Sequence, residues 1–143
     1  MSSAQAVLEQ IVKSFNARDE AATRPLVSPD VVLTAPGGLD YRGHAGWHQW
    51  FQLWDQACPD KVISYHNVIG DGDQAIGEGT FTGTHTGVLS LPTGEVPATG
   101  RKLKADFVAV IRVKDGKMTY LRHYFDVMDL MAQLGLVGAP AAA

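Results

Sequence analysis

The chain of 143 residues suits one domain, large enough to bury about two thirds of its unfolded surface and to enclose a pocket besides its core. Hydrophobic residues make up 45% and charged residues 19%, a globular composition, and a formal charge of −3 offers no footprint for nucleic acid or an anionic membrane. The single cysteine, Cys58, cannot close an internal disulfide, and the opening "MSSAQAVLEQIVKSF" lacks the basic start and unbroken apolar core of a signal peptide, so a reducing cytoplasm is the expected location.

From residue 4 to 17, Val7, Leu8, Ile11, Val12 and Phe15 recur at helical offsets, with Ser2 or Ser3 as cap, and predict an amphipathic helix. A short helix over about 21–27 ends before "SPD", whose proline interrupts helical pairing and leads into the β-branched first strand "VVLTA". After the glycine-rich loop "PGGLDYRG", the run "HAGWHQWFQLWDQAC" sets Trp47, Trp50, Phe51 and Trp54 on one face of a third helix. Beyond Pro59 come four strand-like runs, "KVISYHNVIG", "QAIGEGTFTGTHTGVL", "KLKADFVAVIRV" and "KMTYLRHYFD". Between them stand "DGD", the long "SLPTGEVPATG" and "KDG", whose Asp-Gly dipeptides signal hairpins. No apolar run approaches the roughly 18 residues that span a bilayer.

Helices first and an antiparallel meander after them indicate an α+β fold. A curved antiparallel sheet would wrap over the three N-terminal helices as a cone with an apolar mouth. The last segment, "VMDLMAQLGL", has Val127, Leu130, Met131 and Leu134 at helical spacing and predicts a short C-terminal helix across the rim. Residues 1–143 thus form a single domain, with about 137–143 a frayed tail.

Asp126 stands where the last strand gives way to that helix. By strand alternation it sides with Tyr124, Arg122 and Tyr120, while Phe125, His123 and Leu121 face the other way. If the first set lines the cone, burial raises the Asp126 pKa above its usual value of about 3.9 and makes it a useful base. The alternative is an N-cap. His85 lies in "GTHTG", whose small neighbours suit close approach by a ligand, and a neutral imidazole there can polarise a carbonyl; the alternative is a strand histidine bonded to a neighbour. His66 and His123 read as structural or exposed. The five histidines show no HxH or HExxH spacing, so no metal site is expected. Trp47, Trp50 and Trp54 read first as core, although Trp47 and Trp54, with Tyr41 in the preceding loop and Tyr124, can hold a flat aromatic ligand. Arg101 and Asp106 are candidates for a surface ion pair, and Lys104 for a solvated side chain.

Three segments carry a resemblance: "GTHTGVLSLPTGEVPATGR" (83–101), "DGK" (115–117) and "YFD" followed by "QLGL" (124–126, 133–136). In this order and spacing the chain resembles the SnoaL-like polyketide cyclases, a branch of the cone-shaped NTF2-like superfamily. The resemblance implies a deep apolar pocket, no metal or organic cofactor, and intramolecular aldol ring closure of a small apolar or aromatic carbonyl substrate. It also implies that Asp126, which matches the aspartate of the family's "D…QLG" segment, is the general acid/base; the geometry of the strand end adds the expectation that its carboxylate points into the largest apolar pocket, within reach of Tyr124 or His85. Asp126 would take a C–H proton flanked by two carbonyls, the enolate would attack a carbonyl of the same molecule, and Asp126 or His85 would protonate the alkoxide. One alternative is a non-catalytic small-molecule-binding module. Another is an epoxide hydrolase, because "YFD" is similar to the limonene-epoxide hydrolase branch; that branch's Arg-x-Asp pair is matched here by His85 and Gly87. Both faces of "MTYLRHYFDVM" and of "FVAVIRV" carry apolar residues, so a homodimer joined through the convex face of the sheet is expected, as the resemblance also implies.

Overall fold

The computed structural model describes residues 2–137, so the expected frayed tail lies, but for Val137, outside the described residues. Helix α1 (Ser3–Asn16) begins at a capping box in which the Ser2 hydroxyl accepts from the Gln5 N–H at 3.2 Å and the Gln5 side chain accepts from the Ser2 N–H at 2.9 Å. It buries Ala4, Val7, Leu8, Ile11 and Phe15, the predicted stripe in large part. The predicted second helix is two short pieces, α2 (Glu20–Thr23) and a 3₁₀ turn (Arg24–Leu26) with Pro25 at its start. Strand β1 (Val27–Ala35) then turns through Gly37 and Gly38, at φ of 87° and 81°, into β2 (Leu39–Arg42). A hairpin therefore stands where a loop was expected.

Helix α3 (Gly43–Ala57) buries Trp47, Trp50, Phe51 and Leu53. After it come β3 (Val62–Asp71), β4 (Gln74–Thr84), a small hairpin of β5 (Leu89–Leu91) and β6 (Gly94–Val96), then β7 (Lys102–Lys114), β8 (Lys117–Phe125) and the final helix α4 (Val127–Gln133). The main sheet runs β2-β1-β8-β7-β4-β3 and is antiparallel except where β1 lies parallel to β8. Setting the first long strand beside the last closes one side of the cone and places α3, which follows β2, against β1 and β2.

The core lies between the inner face of the sheet and helices α1 and α3. Phe15 stacks on Trp50 at 5.1 Å and meets Phe51 edge-on at 5.4 Å. Each such ring contributes about 1.5–3 kcal/mol through burial. Lys61, fully buried, ties three elements together. Its ammonium pairs with Asp55 of α3, donates to the Phe15 carbonyl of α1 at 3.1 Å and sits 4.2 Å from the Phe15 ring centroid. Burial pulls the Lys61 pKa down, and Asp55 opposes that shift.

Strand β4 presents Gly77, Gly79 and Gly83 to the inside. The ring of Tyr65 crosses Gly77 and that of Phe107 crosses Gly79; a Cβ at these positions would stand 2.6 and 2.7 Å from them. The glycines of "AIGEGTFTG" thus let rings from β3 and β7 fold over β4 and shape the interior.

Candidate functional site

Between α1, α3, the inner face of the sheet and α4 lies a cleft of about 540 Å³, counted with the space at its open mouth. Its walls are Phe15 of α1, Trp50 and Trp54 of α3, and Phe81, Phe107 and Phe125 of the sheet, with Leu130 of α4 at the rim. Trp54 leans on Phe81 at 5.0 Å. One ionisable side chain joins this lining, His123.

His123 stacks on Trp50 at 5.8 Å with an interplanar angle of 19° and meets Phe107 edge-on at 5.5 Å. Burial lowers its pKa from the ordinary 6.5 to about 4, so the ring is neutral at pH 7 and carries one donor and one acceptor. In the sequence His123 reads as structural or exposed. The signal that locates it is the inward set Leu121, His123 and Phe125 opposite the charged Arg122, and it was obscured by the bulk of Tyr120 and Tyr124 on the outer face.

The geometric expectation for Asp126 is corrected. The strand ends at Phe125, the inward set is the one containing His123, and Asp126 is exposed outside the cleft lining. Its carboxylate accepts from the Asp129 N–H at 3.0 Å and is the N-cap of α4. Asp126 still stands at the rim, because its neighbours Phe125 and Leu130 both line the cleft. Tyr124, also outside the cleft, is 47% exposed on the outer face, where the Arg122 guanidinium lies 5.0 Å from its ring centroid.

His85 is completely buried just beyond the end of β4 and does not line the cleft. The Thr99 N–H donates to its Nδ1 at 3.3 Å and the Thr99 hydroxyl lies 2.9 Å from the same atom. The His85 N–H donates to the Arg101 carbonyl and its carbonyl accepts from the Gly100 N–H. These bonds fasten the segment after β6. Burial pulls the His85 pKa down, and the Gly87 backbone opposes that shift.

Trp54 lines the cleft, whereas Trp47 does not. Trp47 is core, its Nε1–H donating to the Thr23 hydroxyl at 2.9 Å. Tyr41 lies in β2 rather than a loop and packs over Gly46 of α3, away from the cleft lining; burial raises its pKa. Asp106 accepts from the Thr80 hydroxyl at 2.8 Å instead of pairing with Arg101, which lies against Gly135, and Lys104 is exposed. At position 87 a Cβ would stand 1.8 Å from the Gln56 carbonyl oxygen, so a carboxylate there, as an Arg-x-Asp pair requires, does not fit this backbone. No helix among the described residues is long and apolar enough to cross a membrane.

Comparison with solved structures returns the same fold with diverse descriptions. AclR of Streptomyces galilaeus, a proposed hydroxylase, is 22% identical with a TM-score of 0.77, over 96% of this chain and 88% of that one. IdmH of Streptomyces antibioticus, a proposed polyketide cyclase, is 26% identical with a TM-score of 0.74, over 92% and 97%. An epoxide hydrolase of the LEH-like type from M. tuberculosis is 19% identical with a TM-score of 0.71, over 92% and 89%. No curated protein matches the chain. The model of the SnoaL-like polyketide cyclase family matches residues 5–134, and the chain belongs to that family.

Proposed function

We propose that the protein is a cofactor-independent cyclase that binds a flat apolar carbonyl compound in the cleft and closes a ring by intramolecular aldol chemistry. The observation that carries this is a cleft walled by aromatic rings whose one ionisable group is a neutral imidazole. Rings of the ligand lie between Trp54 and Phe81 on one side and Trp50 and Phe107 on the other. The His123 N–H donates to a carbonyl oxygen and polarises it. Asp126 at the rim takes the acidic C–H proton between two carbonyls, through the carboxylate oxygen that the helix cap leaves free, and returns it to the alkoxide after the carbon–carbon bond forms. His85 holds the neighbouring loop and takes no proton.

A second function, binding without chemistry, is favoured by one observation: Asp126 is exposed and already employed as a helix cap. One experiment separates the two. Binding of 2-acetylnaphthalene and turnover of a 1,3-diketone bearing a remote ketone are measured for the parent, for Ala105→Trp, which fills the cleft, and for Asp126→Asn. Asparagine also caps a helix, so the second variant removes the base and keeps the fold. A cyclase loses about 100-fold or more in turnover with Asp126→Asn while binding stays unchanged. Unchanged turnover would refute the role of Asp126, and binding with no turnover in the parent would establish the second function.

A further inference from the structure

The cleft does not end at His123. Behind that ring lies a smaller chamber, which shares Phe15, Trp50, Ile63 and His123 with the cleft. Its remaining lining comes from α1, β8 and one residue of β3, Tyr65. The chamber is apolar but for the imidazole of His123 and the phenol of Tyr65. Both rings pack edge-on against Phe107, Tyr65 at 5.4 Å and 84° and His123 at 5.5 Å and 79°, so they lie within the sum of those two distances.

Neither ring makes a hydrogen bond among the described residues, and burial shifts the acid–base behaviour of each. Neither belongs to the sealed side-chain atoms without a partner, which among the described residues are Thr34 Oγ1 and His85 Nε2. The polar atoms of Tyr65 and His123 therefore open onto space. Both are free to bond an entering group, and an oxygen atom placed between them can accept from each. Burial raises the Tyr65 pKa, so the phenol keeps its proton and is a donor at neutral pH. The position of the ring is set from below. Gly77 leaves it the room that any side chain would take, since a Cβ there would lie 2.6 Å from the ring.

We propose that Tyr65 and His123 together are the oxygen-binding pair of the site: an apolar ring fills the outer cleft, and its carbonyl oxygen sits where cleft and chamber meet, accepting from the Tyr65 hydroxyl and the His123 N–H. This rests on the cleft being the ligand site. It adds a residue on β3 that contacts the ligand and a specificity: ring compounds with one oxygen directed inward are preferred over their hydrocarbon analogues. In the aldol step the same two neutral donors meet the negative charge that develops on the enolate oxygen, without a charged group having been buried beforehand. Tyr65 also borders the groove between α1 and β3, where Gln5 and Glu9 stand, and the test distinguishes a hydroxyl that faces that groove.

Two probes of like shape are compared, 2-acetylnaphthalene and 2-ethylnaphthalene, on the parent and on Tyr65→Phe, which removes a single oxygen atom. The parent is expected to bind the ketone about tenfold or more tightly than the hydrocarbon. Tyr65→Phe is expected to lower ketone affinity about fivefold to tenfold and to leave the hydrocarbon within twofold. The infrared carbonyl stretch of bound ketone reports the contact directly; it lies at lower frequency in the parent and moves upward in Tyr65→Phe. Unchanged ketone affinity and an unchanged stretch in Tyr65→Phe would show that the hydroxyl faces the outer groove, and would overturn the pair. If the parent binds ketone and hydrocarbon equally, the pair is overturned while the apolar cleft stands as the ligand site. If it binds neither, the cleft itself is refuted and the pair falls with it.

Discussion

His123 shows how far placement decides chemistry. In the unfolded chain its imidazole takes a proton near the ordinary 6.5, whereas in the fold it resists protonation until about pH 4. Between those values the unfolded state binds more protons, so stability declines as pH falls through this window. The full loss is about 3 kcal/mol. Urea unfolding at pH 7.0, 5.5 and 4.5 should show this decline in the parent and a markedly flatter profile in His123→Phe; parallel profiles would mean that the ring is solvated. Much of the residue-scale site was hidden in the sequence. Leu121, His123 and Phe125 alternate legibly, and Arg122 marks the opposite face as outer, but Tyr120 and Tyr124 made the two faces look alike. Asp126 was correctly found at the junction of strand and helix. Its orientation was not legible, because one residue past the end of a strand the alternation no longer applies.

Among the elements, the long ones were read correctly because period and length agreed. Trp47, Trp50, Phe51 and Trp54 mark α3, and the four runs beyond Pro59 became β3, β4, β7 and β8. The short hairpins were missed. Segments of three or four residues, such as β2, β5 and β6, are too brief to show a period, and they depend on turns that Gly37, Gly38 and Gly94 permit through positive φ. The tie among α1, α3 and the start of β3 was invisible for another reason: a lysine reads as exposed, yet Lys61 is 1% exposed. Removing its counter-charge leaves an ammonium in the core beside the Phe15 carbonyl and two rings. Asp55→Ala is therefore expected to destabilise the protein by about 3–5 kcal/mol, read as a shift in the urea midpoint. A change below about 1 kcal/mol would mean that the ammonium reaches water in the variant.

For the whole molecule, fold class and family were legible from the order of helices and strands and from the spacing of "GTHTG", "DGK" and "QLGL". The outer face of the sheet bears on assembly. Ile69 is 69% exposed and Ile76 53%, and they are paired in register, with Val110 beside Ile76 and Tyr124 nearby on the same face. We propose that a second copy covers this face through a two-fold contact. Light scattering at micromolar concentration should then give twice the mass of the 15.4 kDa chain, and Ile76→Glu should halve it; a monomeric parent would refute the contact.

The ligand is proposed to lie in the interior cleft. Ala105 lines it from β7 and is only partly buried, so a larger side chain there enters the cleft more readily than the core. The decisive measurement is the affinity of Ala105→Trp for 2-acetylnaphthalene, with unfolding checked to be as in the parent. The expected result is a loss of about tenfold or more. Affinity equal to that of the parent would place the ligand outside the cleft.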